Sequence, residues 1–288
     1  MQIPSALGQY ATVEEVETEL KNTRKDKDKL GVYVTAANVF MLKNPDKALE
    51  YADKAINLSV KLSKTRSLKE FSRNLGADAH SIKGIILMNK DEYKKAESVI
   101  EIAIQARQGL KSDGQNADIA GDYRRMGICR ENQHRTLDAY KAYKRGLSFA
   151  NKSRDKKEIA QLYYALGKIQ IKQKKYQEAI VNLGKAEQNA KQANQRKLIL
   201  EIRSASASAK DLLSRSQDII KLQADNAQKE QAINDAIAEA EAEINSYQDS
   251  LATAVEPNEM LHKESEFRQM QLERQQLQLK LQEDSISA

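Results

Sequence analysis

An all-α fold is predicted by three observations. Gln, Lys, Glu, Ala and Leu dominate the 288 residues, and each of them favours helix. Only three Pro and eleven Gly are present, too few for a turn-rich β fold. A pattern of small and large apolar residues also recurs along most of the chain at helical spacing. The predicted architecture is a superhelix of helical hairpins followed by a long coiled-coil segment. Hydrophobic residues make up 40% and charged residues 31%. Such a composition suits a thin core shared between neighbouring units.

The repeats carry most of this reading. The clearest unit holds Tyr163, Leu166-Gly167, Tyr176, Ala179, Leu183 and Ala186. One unit earlier come Tyr123, Met126-Gly127, Ala139, Tyr143 and Gly146, and before that Gly84, Tyr93, Ala96, Ile100 and Ala103. A degraded first unit has Ala36, Pro45, Ala48, Ala52 and Ala55. The small residues at 36, 84, 127 and 167 are 48, 43 and 40 positions apart. A small residue in the first helix of a pair lets the second approach closely, and the Ala of the second helix does the same from the other side. No pair buries enough surface alone, so the units must stack.

This pattern resembles the tetratricopeptide repeat, whose 34-residue unit places an aromatic, Leu-Gly, Tyr, Ala, aromatic and Ala at fixed offsets. The resemblance covers roughly residues 28–200. The longer spacing fits longer helices and longer loops, such as 111–116. The resemblance implies a superhelix whose first helices line a concave side. In that register the inward positions are Ser81, Ile85, Met88 and Asn89, then Arg124, Arg125, Ile128 and Asn132, then Tyr164, Lys168 and Lys172. Apolar, amide and cationic groups together suit an extended peptide or a helix bearing an acid. Arg can hold a carboxylate through two parallel bonds; the alternative is that Arg124 and Arg125 are ordinary surface arginines. One subfamily of these repeats clamps the C-terminal carboxylate of chaperone tails with Lys and Asn. This chain has Tyr33, Ala37 and Ile82 at those positions, and only Arg125 matches, which argues against such a clamp.

Residues 1–27 hold a leading helix over 9–27, with Thr12 as N-cap and Glu15 completing a capping box. Residues 28–216 hold the repeats, closed by a helix over 198–214 whose alternating Ser and Ala suit close packing. Residues 217–288 form a coiled-coil region broken near Pro257, which suits a first helical position. Its seam is Ile233, Ile237, Ala240, Ile244, Tyr247, Leu251 and Ala254, in steps of 4 and 3. Met260, Phe267, Met270, Leu277 and Leu281 form a second stripe, widened by Leu272 and Leu279. Two arrangements are open: the two helices fold back as a hairpin, or a kinked rod pairs with a second chain to give a homodimer.

Charge divides the chain in the same place. Residues 218–288 hold 6 Lys/Arg and 15 Asp/Glu, a balance of −9, and the remainder carries +15. The lysines of the basic part alternate with acids at helical spacing, as in Lys94-Lys95 beside Glu92 and Glu97. That argues for solvated helix faces rather than a nucleic-acid surface.

The sequence holds no sign of catalysis, so no enzyme activity, cofactor or metal is expected of it. His80, His134 and His262 are too scattered for a local metal motif, and Cys129 has no second cysteine to join it. Phosphate loops and the Gly-x-Ser-x-Gly elbow are absent. Cys129 reads as a buried small residue, and His80 as a packed residue at the aromatic position of its unit. His262 lacks the flanking acid and Pro of a phosphoacceptor helix.

Repeats followed by an acidic Gln/Leu-rich coiled coil resemble the sensory region of bacterial membrane signalling proteins, of the histidine kinase or serine phosphatase type. The resemblance implies a fragment lacking its signal peptide and output domain, placed outside the cytoplasm next to a membrane segment. The expected role is protein or peptide binding in the concave groove, passed on through the coiled coil. The alternatives are a complete cytoplasmic adaptor and a peptide-responsive regulator of a phosphorelay.

Overall fold

The computed structural model describes residues 12–110, 115–252 and 257–286, which contain eleven α-helices, one 3₁₀ turn and no strand. The helices are α1 (Val13–Asn22), α2 (Asp26–Phe40), α3 (Pro45–Leu62), α4 (Lys69–Asn89), α5 (Tyr93–Gln108) and α6 (Asn116–Asn132). They continue with α7 (Thr136–Ser153), α8 (Lys156–Lys172), α9 (Tyr176–Gln192), α10 (Arg196–Ala252) and α11 (Pro257–Ile286). The chain divides into two compact units between Lys210 and Asp211.

In the first unit the helices pack as successive antiparallel pairs: α2 with α3, α4 with α5, α6 with α7, α8 with α9. One register governs all four. Counting from the small residues Ala36, Gly84, Gly127 and Gly167, the second helix begins nine residues on, at Pro45, Tyr93, Thr136 and Tyr176. Twelve residues on stands a fully buried Ala: Ala48, Ala96, Ala139 and Ala179. Sixteen residues on stands the residue that meets the small one: Ala52, Ile100, Tyr143 and Leu183, all fully buried. A Cβ added at Gly84 would lie 2.5 Å from Ile100 Cγ1, and one at Gly167 2.8 Å from Leu183 Cγ. At Gly127 it would lie 2.2 Å from Tyr143 Cε1. Each glycine is therefore the socket for a large side chain of its partner helix. The first pair, with Ala36 at the glycine position, puts Ala52 where the others put Ile, Tyr or Leu.

Because this register is fixed, the variable spacing of the units arises outside it. Between α7 and α8 only Arg154 and Asp155 intervene, so the excess over 34 residues lies in the 18 and 17 residues of those helices. Between α3 and α4 the connection is longer and includes the 3₁₀ turn Arg66–Leu68. Of the loop 111–116 named above, residues 111–114 lie outside the described residues, and α6 begins at Asn116.

The pairs turn tightly. Asp91, His134 and Lys174, in the middle of three hairpins, have φ of 59, 59 and 60°, and Arg154 and Asn194 between pairs have φ of 57 and 54°. In each hairpin the next N–H reaches back five residues, as in Lys175 N–H to Gln170 O at 2.8 Å. This is the Schellman arrangement, in which the left-handed position is cheapest for glycine. Lys174→Gly is accordingly expected to raise stability by about 0.5–1 kcal/mol. Urea titration of the variant checks this, and an unchanged or lower midpoint counts against it.

The ends of the first unit follow from local chemistry. Thr12 and Glu15 form the expected capping box: Glu15 N–H donates to Thr12 Oγ1 at 3.2 Å and Thr12 N–H to Glu15 Oε2 at 2.7 Å. Helix α1 is shorter than the expected 9–27. It stops at Asn22 because Thr23 is extended and its hydroxyl turns back to Glu19 O at 2.8 Å, and α2 then starts at Asp26. At the other end Ile202 and Ala209 of α10 bury against Ala179, Leu183, Ala186 and Ala190, closing the stack. The expected helix end at 214 is absent. No Gly or Pro occurs between 196 and 252, and α10 runs unbroken through that stretch.

In the second unit α11 folds back along α10. Arg274 pairs with Glu241, and Lys263 Nζ donates to Ser250 O at 3.4 Å, which fixes an antiparallel register. Of the two open arrangements, the chain itself forms the hairpin. Ile244 is buried in it, and Ile233, Ile237, Ala240 and Tyr247 are half-buried. The side chains of Leu251 and Leu281, and all of Ala254, lie outside the described residues. On α11, Phe267, Met270 and Leu277 are half-buried, whereas Met260, Leu272 and Leu279 stay exposed. The stripe is thus narrower than expected: residues 272 and 279 fall two positions past 270 and 277, on the far side of the helix. Ile219, Ile220 and Leu222 of α10 are also exposed.

Candidate functional site

Two concavities adjoin on one side of the first unit. The first, about 430 Å³, lies between α2, α4 and α6, with Val34, Thr35 and Asn38 facing Asp78, Ser81, Ile82, Ile85, Asp118 and Arg125. The second, about 400 Å³, lies between α6, α8 and the start of α10. Arg124, Ile128, Glu131 and Asn132 face Gln161, Tyr164, Lys168 and Lys172 across it, with Leu198 and Glu201 at one end. The same register lines both. Positions three before and one after the small residue are Ser81 and Ile85 on α4, Arg124 and Ile128 on α6, and Tyr164 and Lys168 on α8. Equivalent faces of successive first helices therefore line both concavities.

The polar groups of the first concavity are largely committed to one another. Asp122 is fully buried. It accepts from Ser81 Oγ at 2.8 Å and from Arg125 Nη1 at 2.9 Å, and it pairs with Arg107. Arg107 reaches in from α5, donates to Ser81 Oγ at 2.7 Å and to Asp78 Oδ1 at 2.6 Å, and is itself buried. Burial pushes the carboxyls of Asp78 and Asp122 above the usual carboxylate range, against the pull of Arg107 on both and of Arg125 on Asp122.

In the second concavity the guanidinium of Arg124 is held by Glu158, with Nε to Oε2 at 2.8 Å and Nη2 to Oε1 at 3.2 Å. Lys172 Nζ donates to Glu131 Oε1 at 2.8 Å, and Glu131 Oε2 accepts from Tyr143 Oη at 2.7 Å. Asn132 Nδ2 donates to Ile128 O within its own helix at 2.9 Å. Lys168 is different. Its ammonium stands 5.0 Å from the centroid of the Tyr164 ring and, among the described residues, has no carboxylate within ion-pairing distance.

Nine of the eleven residues named from the sequence line these concavities: Ser81, Ile85 and Arg125 the first, and Arg124, Ile128, Asn132, Tyr164, Lys168 and Lys172 the second. Met88 packs instead against the core between α5 and α6, and Asn89 is exposed at the end of α4. The two arginines are neither free forks nor plain surface residues, because each is held by a carboxylate of the protein. Ser81 is buried and bonded to Asp122. The sequence reading missed α2, Arg107, Gln161 and the contribution of α10. Gln161 was legible in principle, since it stands six residues before Gly167 as Asp78 stands six before Gly84.

Residues that might have carried chemistry have ordinary surroundings. Cys129 is fully buried, and burial pushes its thiol up to about 12. His80 is half-buried, and burial together with Lys83 holds its imidazole below its usual range. His262 is exposed beside Glu266. Among the described residues no cluster of His, Cys, Asp and Glu could hold a metal ion, and no helix is long and apolar enough to cross a membrane.

No protein-family profile and no curated protein matches the sequence. Solved structures do. Aspartyl phosphate phosphatase F from Bacillus subtilis superposes with a TM-score of 0.60 at 14% identity over 95% of this chain and 64% of its own. A Rap protein complexed with competence and sporulation factor gives 0.56 at 15% identity, over 94% and 70%. A signal-transduction ATPase with a tetratricopeptide-repeat sensor from Pyrococcus horikoshii gives 0.57 at 13% identity, over 73% and 32%. The paired helices, their common small-residue register and these likenesses make the chain a repeat protein of tetratricopeptide type.

Proposed function

We propose that the concave face of the repeats binds a peptide or an extended segment of another protein. The observation that carries this reading is the pair of adjoining concavities lined by equivalent positions of α4, α6 and α8. Apolar groups (Ile85, Ile128, Tyr164) lie there beside polar ones, the mixture that an extended chain requires. One protein of this fold has been solved with competence and sporulation factor bound, which supports the reading.

The chain is further read as the ligand-sensing part of a bacterial signalling protein that transmits through α10 and α11. Leu198 and Glu201 lie on α10, so an occupant of the second concavity touches the helix that continues to Ala252. The exposed Ile219, Ile220 and Leu222 support pairing with a second copy. A second reading, a peptide-responsive regulator of a phosphorelay protein, is favoured by the likeness to an aspartyl phosphate phosphatase.

The test is selection of peptides from a random display library on the purified chain. Peptides retained by the natural sequence are expected to lose at least tenfold in affinity against Ile128→Asp and against Lys168→Glu. Equal binding to both variants removes the groove from consideration. For transmission, a Glu241→Cys/Arg274→Cys pair is expected to crosslink at a different rate when the selected peptide is bound, and an unchanged rate rejects that part.

A further inference from the structure

The second concavity contains a polar atom that the protein does not satisfy. Gln161 Oε1 is buried and has no hydrogen-bond partner. Its side chain lines the cavity together with Tyr164, Ala165, Ile128 and Leu198. A buried acceptor without a donor is costly, and such groups are uncommon in folded proteins. Removal of the amide would relieve that cost. About two turns along the same helix, Lys168 carries an ammonium that no carboxylate among the described residues neutralises. The side chains of Gln161 and Lys168 thus line one cavity of mixed polarity from a single helix, about 10 Å apart along its axis.

We propose that Gln161 and Lys168 are the specificity-determining pair of the groove. On binding, the Gln161 carboxamide turns so that its oxygen, withdrawn from solvent in the free protein, accepts a backbone N–H of the bound peptide; one peptide side chain fills the space between Ile128, Ala165, Tyr164 and Leu198, and Lys168 takes an acidic group two to three residues further along. Three extended residues span about 10 Å, which matches the separation of the two side chains on α8. The ligand class is therefore a peptide with an apolar residue followed closely by Asp, Glu or a C-terminal carboxylate. The carboxylates already paired with Arg124 and Lys172 leave Lys168 as the cation that can be neutralised without breaking an ion pair.

This inference rests on the proposed peptide site, and the experiment separates the two. The probe is the tightest peptide selected on the natural chain. Gln161→Leu is expected to raise the midpoint of thermal unfolding of the free protein, because the orphan acceptor is gone, and to weaken peptide binding at least tenfold. N-methylation of successive peptide bonds is expected to reveal one position whose loss on the natural chain disappears on Gln161→Leu. Lys168→Met is expected to abolish the preference for an acidic residue at one peptide position while apolar preference persists. Failure to select any peptide overturns the site itself and this pair with it. Selected peptides that bind Gln161→Leu as tightly as the natural chain, or that show no acidic preference, overturn the pair alone.

Discussion

Replacing Asp122 by alanine is expected to destabilise the protein by about 3–5 kcal/mol, the usual cost of breaking a buried ion pair by removing one member. Arg107 comes from α5 and Asp122 from α6, and both are almost fully withdrawn from water. Once the carboxylate is gone, Arg107 keeps only Asp78 and Ser81, and Arg125 loses its partner at 2.9 Å. Asp122→Asn preserves shape and one acceptor and is expected to fall between. The double replacement Arg107→Met/Asp122→Leu is expected to recover part of the loss, because the most deeply buried pair is removed whole while the more exposed Asp78 and Arg125 each lose a partner. Urea unfolding followed by circular dichroism measures all three, and an Asp122→Ala variant within 1 kcal/mol of the natural chain, on the order of a single neutral hydrogen bond, disproves the role assigned to the cluster.

Gly127→Ala is expected to be destabilising although it improves helix propensity. Alanine in a helix interior gains about 1 kcal/mol over glycine. Here the added Cβ would sit 2.2 Å from Tyr143 Cε1, and the ring is fully buried with its hydroxyl donated to Glu131, so it cannot step aside. Overpacking of that kind costs about 1–3 kcal/mol and more for larger side chains, leaving a net loss of up to about 2 kcal/mol for Ala. A greater loss is expected for Val. Gly184 provides the control. It lies inside α9 with nothing within 4 Å of an added Cβ, so Gly184→Ala is expected to stabilise by up to about 1 kcal/mol. Combining Gly127→Ala with Tyr143→Leu is expected to be better than additive. Equal effects of the two alanine substitutions would mean that the glycine register does not set the helix spacing.

These two predictions differ in how far they could be anticipated. Gly84, Gly127 and Gly167 were picked out by recurrence alone, and so were the large residues sixteen positions later. Both partners lie in one hairpin, where chain connectivity fixes their distance. Arg107, Asp122 and Ser81 belong to three different helices, and nothing in their spacing along the chain announces that they meet. The same holds for Arg124, whose position in the groove followed from the register but whose carboxylate partner, Glu158, lies 34 residues away.

The hairpin of α10 and α11 shows a similar boundary. The seam of Ile233, Ile237, Ala240, Ile244 and Tyr247 was legible because a heptad is a local property of one helix. Which surface covers it was not, since a heptad stripe serves a returning helix and a second chain equally well. What the sequence determined by itself was therefore everything that one helix or one hairpin encodes: helix content, the repeat register, the capping box and the seam. Tertiary structure alone decided which charges are paired and which amide is left without a donor, because those outcomes depend on contacts between units whose separation in sequence varies.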